Sequence, residues 1–226
     1  RDRRFEFIIL EDKTINAFAA PGGIIGINLG MFLNTEREGE LASVMCHELA
    51  HLSQRHFARS QNRNSPLANA LMILGSIAVA AASRNPEAIL IAPAAMQQMS
   101  INYTRSNEKE ADRIGFNNLV KAGFDPNDMS MMFQRMQDKY QNEDSEQFSY
   151  LMTHPLPSER LTDMRIRADG LKNNSKNSFR DNLDFYLMQK RAQVWAEKDT
   201  KELVKRFKKN LKSQNKNTEV SNKYGL

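Results

Sequence analysis

The chain has 226 residues, a length that fits one large domain or one domain with an appendage. Its 40% hydrophobic and 26% charged residues, 10 glycines and 7 prolines exclude collagen-like, purely coiled-coil and fully disordered proteins, and its single cysteine excludes an intrachain disulfide framework. Of the net charge of +5, residues 170–226 contribute 14 basic and 6 acidic side chains, so the rest of the chain is slightly acidic. Because the excess of positive charge lies in the C-terminal quarter and no basic stripe accompanies the rest of the chain, we expect no nucleic-acid partner.

Three short strands are predicted at the beginning of the chain. They are residues 5–10, residues 17–20 and residues 24–28, and the last two are separated by the turn-forming sequence Pro21-Gly22-Gly23. Strands this short and this close in sequence predict a small antiparallel or mixed sheet.

From residue 36 the apolar residues recur at helical steps, which predicts one helix over residues 36–59 and another over residues 97–122. Gly123 is predicted to end the second helix, and Asp125 to cap a third that runs to about residue 140. Methionines on one face of that third helix are predicted to fill the core. Cys46 is expected to be a packed thiol.

The C-terminal part is predicted to be helical as well. A helix is expected over residues 158–169, two amphipathic helices are expected within residues 183–211, and the final dozen residues are expected to be frayed. We therefore divide the chain into a main domain at 1–169, a linker at 170–182 and a basic helical tail at 183–226.

Two uncharged stretches, residues 64–83 and 88–104, have to be compared with membrane spans. The dense apolar part of the first covers only about 13 residues, whereas a bilayer span needs about 20. We therefore expect a buried or surface-docked helical hairpin. Residues 67–82 could form a lid over a cleft, contact a membrane or client protein, or complete the core, and the sequence leaves these alternatives open.

The segment His47-Glu48-Leu49-Ala50-His51 carries most of the functional information. Residues four apart lie on one face of a helix, so both imidazoles can bind the same Zn²⁺ ion. Glu48 lies beside that ion and can take a proton from its bound water, whose pKa zinc lowers towards about 7. The segment predicts one zinc ion per chain, with Glu48 as the catalytic base.

The third ligand distinguishes the classes of zinc peptidase. A metzincin has glycine and histidine three and six residues after the second histidine, whereas this chain has Gln54 and Phe57 at those positions. His56 is predicted to be a surface histidine, because on a continuous helix it points about 140° away from His51.

Glu108, on a later predicted helix, is the preferred third ligand. Asp112 lies one turn further on the same face, where it can accept a hydrogen bond from a ligating histidine. Glu110 points elsewhere on that helix and is expected to be solvated. Without the preceding histidine motif, this acidic cluster would be interpreted as a charged helix surface.

Taken together, residues 47–51 and the segment 103–115, which reads Tyr-Thr-Arg-Ser-Asn-Glu-Lys-Glu-Ala-Asp-Arg-Ile-Gly, resemble the gluzincin peptidase family that includes HtpX and the CAAX prenyl endopeptidases. Residues 16–19 and 154–160 match its soluble periplasmic branch, and the resemblance covers about residues 1–170. It implies a mostly helical α+β peptidase domain with a small sheet. It also implies the following roles: His47, His51 and Glu108 as zinc ligands, Glu48 as general base, and Asp112 as support for the site.

His154 has two predicted roles. It is a candidate donor to the tetrahedral oxyanion, and as a loop histidine it could instead occupy the open zinc position and hold the enzyme inactive. The alternative is a histidine that is simply hydrogen-bonded in a His-Pro turn. Arg160 is expected to pair with a buried carboxylate, and substrate is expected to add as a strand along residues 17–20.

The resemblance implies a periplasmic zinc endopeptidase that cleaves misfolded or stalled envelope proteins, its signal peptide having been removed; a cytosolic peptidase is the alternative. The second function considered is a chaperone or assembly factor for outer-membrane proteins with a latched or mainly structural zinc site. Unfolded or misassembled envelope proteins are the expected substrates. Residues 67–100 and the basic tail are candidate contacts with assembly machinery or a membrane surface. The family branch also implies a tetratricopeptide-like array, of which the tail would be the start.

Overall fold

The computed structural model describes residues 4–63, 88–142, 149–171, 182–197, 199–211 and 216–226. The apolar stretch at residues 64–83 and most of the predicted linker lie outside these ranges. Among the helices within the described ranges, none combines the length and the apolarity that crossing a bilayer requires.

The predicted three-stranded sheet is confirmed. Strands β1 (Glu6–Leu10), β2 (Ala17–Ala20) and β3 (Ile24–Asn28) are arranged in the order β1-β3-β2, with β1 parallel and β2 antiparallel to β3. The β2–β3 turn needs its glycines, because Gly22 and Gly23 have φ angles of 95° and 91°. The sheet is therefore mixed, and β2 lies at an edge of it.

A short helix, α1 (Leu29–Leu33), follows β3. The single helix predicted over residues 36–59 is wrong, because two helices cover this region: α2 (Glu38–Ser53) and α3 (His56–Arg63). Arg55, with a φ angle of 55°, separates α2 from α3. A single left-handed residue costs only about 1–2 kcal/mol, and helical periodicity resumes immediately after it. The hydrophobic pattern therefore gave no sign of the break.

Helix α4 (Ala88–Lys121) begins nine residues before the predicted start and packs along α2. The two helices approach closely at Gly115, where a Cβ atom would lie 3.0 Å from the backbone nitrogen of His47. Gly123, with a φ angle of 89°, follows α4 as predicted, and the Asp125 carboxylate accepts a hydrogen bond of 2.9 Å from the Asn127 amide. The predicted cap therefore starts α5 (Asn127–Asn142).

Helices α6 (Ser149–Thr153) and α7 (Ser158–Leu171) complete the body, and α7 extends two residues beyond its predicted end. The core lies between the sheet, α2, α4, α5 and α7. Met129, Met132 and Met136 of α5 are buried in it, as predicted, and Cys46 is packed there. Burial raises the pKa of the Cys46 thiol to about 11. The predicted α+β class, mostly helical with a small sheet, is confirmed.

The tail forms three helices, α8 (Leu183–Ala196), α9 (Thr200–Lys209) and α10 (Lys216–Gly225). The expectation of a frayed end is wrong. Helix α10 packs against α8 and α9, and the buried side chain of Asn222 donates a 2.9 Å hydrogen bond to the Asn210 carbonyl. Such polar contacts leave no apolar periodicity in the sequence, which is why the pattern missed this helix.

Helix α8 joins the tail to the body through Gln189 and Phe185. The buried Gln189 amide donates hydrogen bonds of 3.0 and 2.6 Å to the carbonyls of Phe32 and Thr35, and the rings of Phe32 and Phe185 meet edge to face at 5.4 Å. These carbonyls lie in and just after α1, at the approach to α2. The tail thus packs on the segment that leads into the histidine-bearing helix.

Candidate metal centre

His47 and His51 project from the same face of α2. Their Nε2 atoms lie 2.9 Å apart, and His47 is completely buried. The 3.6-residue period of the helix brings residues i and i+4 into this proximity. The two nitrogens therefore point into one common space.

Glu108 of α4 closes this space from the opposite side. One carboxylate oxygen lies 3.3 Å from His47 Nε2 and the other 3.3 Å from His51 Nε2. Ligands at 2.0–2.1 Å from a tetrahedral metal are about 3.3 Å from one another. A hydrogen bond between the two imidazoles would account for their own short distance but not for a carboxylate equally close to both. The three donors together have the spacing expected around a divalent metal ion.

The electrostatics of the cluster also favour a cation. Burial raises the pKa of Glu108, but its contacts with His154, His47 and His51 outweigh burial and hold that pKa far below its usual range. For His47, burial lowers the pKa, whereas Asp112 and Glu108 raise it to about 10. The buried carboxylates thus favour positive charge at the position of His47.

Asp112 and Arg160 support the ligands. Asp112 Oδ1 lies 2.9 Å from His47 Nδ1, the nitrogen that points away from the donor set. The guanidinium of Arg160 donates two hydrogen bonds of 2.7 Å to the Asp112 carboxylate. It also lies 2.9 Å from a Glu108 oxygen and donates a 2.6 Å hydrogen bond to the Pro155 carbonyl. The expectation that Arg160 pairs with a buried carboxylate is confirmed.

Glu48 lies directly beside the donor set on α2. It is 1% exposed, and its Oε1 atom has no hydrogen-bond partner within the described residues. Burial raises the pKa of this carboxyl, and the positive charge of nearby histidines lowers it only in part. A buried carboxylate oxygen without a partner, next to a metal-type donor set, can accept a proton from a bound water molecule.

His154, at the end of α6, reaches the same centre. Its Nδ1 lies 3.1 Å from both Glu108 oxygens, and its Nε2 lies 3.5 Å from Glu48 Oε1. One ligand atom from each of four side chains lies within 4.8 Å of the other three; these side chains are His47, His51, Glu108 and His154. The structure thus brings all the predicted ligands and both predicted catalytic side chains together. The ring of His154 is at the metal centre and not only in its turn.

The expectation that His56 is a surface histidine is wrong. His56 is only 4% exposed; its Nδ1 lies 2.9 Å from His51 Nδ1, and its Nε2 lies 3.1 Å from Glu110 Oε2. The left-handed turn at Arg55 ends α2 and turns the chain back, so the 140° offset of a continuous helix does not apply. Glu110 accepts from His56 and from Arg59, each at 3.1 Å, while its side chain stays partly exposed to solvent.

Tyr150 was missed by the sequence analysis. It is buried, and its ring stacks on that of His154 with the ring centroids 4.7 Å apart. Burial is the largest effect on the pKa of Glu48 and raises it, whereas the hydroxyl group of Tyr150 lowers it. The available signal was its position four residues before His154, on the same helix face. Burial, followed by the charge of Glu48, raises the pKa of Tyr150 well above its usual value, so its hydroxyl stays protonated.

A cavity of about 960 Å³ adjoins the centre on the side of Glu108 and Arg160. Helices α4 and α5 form its walls, and residues 155–159 form its rim. Arg105 and Lys109 contribute positive charge to a mixed polar and apolar lining. Its size and its contact with Glu108 make it a candidate pocket for part of a substrate.

A family model described as peptidase family M48 matches residues 1–168. A beta-barrel assembly-enhancing protease of Escherichia coli O157:H7 is 40% identical over 197 residues, which cover 83% of this chain and 39% of that protein. A Vibrio cholerae protein provisionally given the same name is 49% identical over 169 residues, or 73% of this chain and 34% of the relative. Mitochondrial metalloendopeptidase OMA1 of Schizosaccharomyces pombe is 29% identical over 160 residues, which cover 71% of this chain and 45% of that protein. The chain thus spans between a third and a half of the length of these relatives.

Proposed function

Since this chain belongs to peptidase family M48, we propose that it is a zinc-dependent endopeptidase, with His47, His51 and Glu108 as the ligands of one zinc ion. The single observation that carries this proposal is the convergence of three donors from two helices on one buried space, with the buried carboxylate of Glu48 beside it. Zinc is the metal assigned, because two imidazoles and a carboxylate with an open position are a typical catalytic zinc site.

Each side chain of the site is assigned a role in peptide hydrolysis. A bound zinc ion would supply Lewis acidity to the scissile carbonyl and lower the pKa of the attacking water. Glu48 takes a proton from that water and later delivers it to the leaving amide nitrogen. His154 is assigned to the carbonyl oxygen as negative charge develops there. Asp112 and Arg160 hold the ligands in place, because both are buried and bonded to one another.

Strand β2 is proposed to bind the substrate backbone. The Asn28 amide donates to the Asn16 carbonyl at 2.9 Å, so residues 16 and 28 form a hydrogen-bonded pair of the antiparallel ladder. Such pairs alternate along the strand, and the backbone groups of Ala17 and Ala19 therefore point away from β3. Within the described part of the chain this is the outer edge of the sheet, where an extended peptide can add as a further strand.

Replacing Ala19 by proline should lower kcat/KM for an unstructured peptide by about fivefold, because one backbone hydrogen bond to substrate, of about 1 kcal/mol, is lost. Proline is tolerated in an edge strand where its N–H faces outwards, so zinc content and thermal stability should stay close to those of the parent. Steady-state kinetics with a quenched fluorescent peptide measure the effect. Ala19→Val keeps the N–H and is the matched control; equal kinetics for the two variants would contradict the assignment of β2.

We further propose that the substrates are misfolded or stalled proteins of a bacterial envelope and that the protein acts in the periplasm. The support is the likeness to relatives named beta-barrel assembly-enhancing protease. The apolar segment 67–100 and the basic tail are the proposed contacts with assembly machinery or with an anionic membrane surface. A pulse-chase of stalled outer-membrane proteins in cells carrying Glu48→Gln tests this, because the proposal requires these proteins to accumulate.

A second function, a chaperone or assembly factor with a latched zinc site, is favoured by one observation. His154 lies within the donor set, 3.1 Å from Glu108, where it can fill the open metal position. This function does not depend on the Glu48 carboxylate. If cells carrying Glu48→Gln assemble outer-membrane proteins at the parental rate, the chaperone function accounts for the protein better than proteolysis does.

A further inference from the structure

The two histidines of α2 are supported differently on their outer nitrogens. His47 Nδ1 faces the Asp112 carboxylate at 2.9 Å. His51 Nδ1 faces the imidazole of a third histidine, His56, also at 2.9 Å. The rings of His51 and His56 stand nearly perpendicular, with centroids 4.8 Å apart, so this contact is made edge to face through nitrogen atoms and not by stacking.

The positions of the protons follow from the contacts. His51 directs Nε2 towards His47 and Glu108, so that nitrogen must keep its lone pair free for a metal, and the proton of the neutral ring is on Nδ1. The 2.9 Å contact is then a hydrogen bond from His51 Nδ1 to the lone pair of His56 Nδ1. The proton of His56 is consequently on Nε2, which donates to Glu110 Oε2 at 3.1 Å.

We propose that His56 is a positioning residue for zinc binding, which fixes the tautomer and ring orientation of His51 by accepting the hydrogen bond from its Nδ1–H. This inference rests on the proposed zinc site. His51 donates to His56 and His56 donates to Glu110, whose Oε2 atom also accepts from Arg59 Nη1 at 3.1 Å. The Glu110 carboxylate is therefore the acceptor at which both sets of donors end.

The backbone places His56 for this role. Arg55 adopts a φ angle of 55°, and the Arg55 amide still donates to the Leu52 carbonyl at 3.1 Å, which closes α2 before α3 begins. The turn brings His56 back against the outer side of His51. His56 is not itself a ligand, because its Nδ1 touches the His51 nitrogen that faces away from the donor set, and among the described residues it is not a member of that set.

Two amide substitutions distinguish the role of His56 Nδ1 from that of His56 Nε2. Asparagine places its amide where Nδ1 lies and can still accept from His51, whereas glutamine reaches the Nε2 position and contacts only Glu110. The zinc dissociation constant of each full-length variant is measured by competition with a chromophoric chelator. We expect Asn to stay within about threefold of the parent, and Gln and Phe to weaken binding about 10–100-fold, the range for lost partners of metal ligands.

The controls keep folding apart from metal binding. Phe57→Ala, at an exposed neighbouring position, should bind zinc as the parent does. Glu110→Ala acts from the surface end of the chain and should weaken zinc binding about threefold or more without unfolding the core. Melting of the metal-free variants reports any loss of structure, and a cobalt(II) spectrum reports the ligand field directly.

Equal zinc affinity for the parent, His56→Gln and His56→Phe would overturn the inference. So would a loss in His56→Asn as large as that in His56→Phe, because the acceptor would then be irrelevant. A parent chain that binds no zinc would instead refute the proposed function, and the two failures are therefore distinguishable.

Discussion

Replacing Glu48 by glutamine should lower kcat by about 10²–10⁴-fold, the usual contribution of a general acid–base residue, and leave the zinc content unchanged. Glutamine has the shape of glutamate but cannot accept the proton from water. Glu48 is buried beside the donor set and is not one of its members, so the ligands should remain in place.

Metal analysis and single-turnover cleavage of an unfolded protein check both parts of this result. Glu219→Gln is the matched control, because Glu219 lies on the surface of α10 and pairs only with Lys223 in the described contacts. Parental cleavage by the Glu48 variant would show that another group carries the proton. Loss of zinc from that variant would show that Glu48 belongs to the ligand set.

Replacing Arg160 by methionine should destabilise the metal-free protein by about 3–5 kcal/mol, the cost of leaving buried charges without their partner. The guanidinium is buried against Asp112 and Glu108, and methionine has similar length but no charge. Zinc affinity should fall as well, since Asp112 would lose the bonds that orient it towards His47.

The pH dependence of this loss has a defined sign. Burial raises the pKa of Asp112, but its contacts with His47 and Arg160 outweigh burial, and the net result is a lowered pKa. The pKa of Glu108 is lowered in the same way. Their paired, ionised forms therefore stabilise the parent above the usual carboxyl pKa, and this stabilisation is lost as the pH falls through the folded-state values. The difference between parent and Arg160→Met should be largest near pH 7 and smaller near pH 3, below the usual carboxyl pKa of about 4.

Urea denaturation of metal-free protein at both pH values measures this difference. Arg167→Met, on the same helix, removes only a partly exposed pair with Asp163 and should change the free energy of unfolding by less than about 1 kcal/mol. Equal losses in the two variants would contradict the role given to Arg160.

Regular spacing made much of this site predictable. His47 and His51 share a helix face by their four-residue separation, and so do Glu108 and Asp112. Turn chemistry at Gly22, Gly23 and Gly123 likewise gave the strand and helix ends, because positive φ angles strongly favour glycine.

The failures share one physical cause, which is that contacts between distant segments leave no periodic signal. The place of His56 depends on one left-handed residue, and the contact of Glu110 with His56 depends on that residue in turn. Helix α10 is held by the side chain of Asn222 and by packing on α8. The approach of His154 to Glu108, 46 residues apart, could be expected from family resemblance but not from local sequence.

Anomalous diffraction at the zinc absorption edge, from crystals of protein purified with zinc, tests the central claim most directly. The account predicts one strong peak per chain, about 2.0–2.2 Å from His47 Nε2, His51 Nε2 and the Glu108 carboxylate. The absence of a peak at this position, or zinc bound only by other residues, would contradict it.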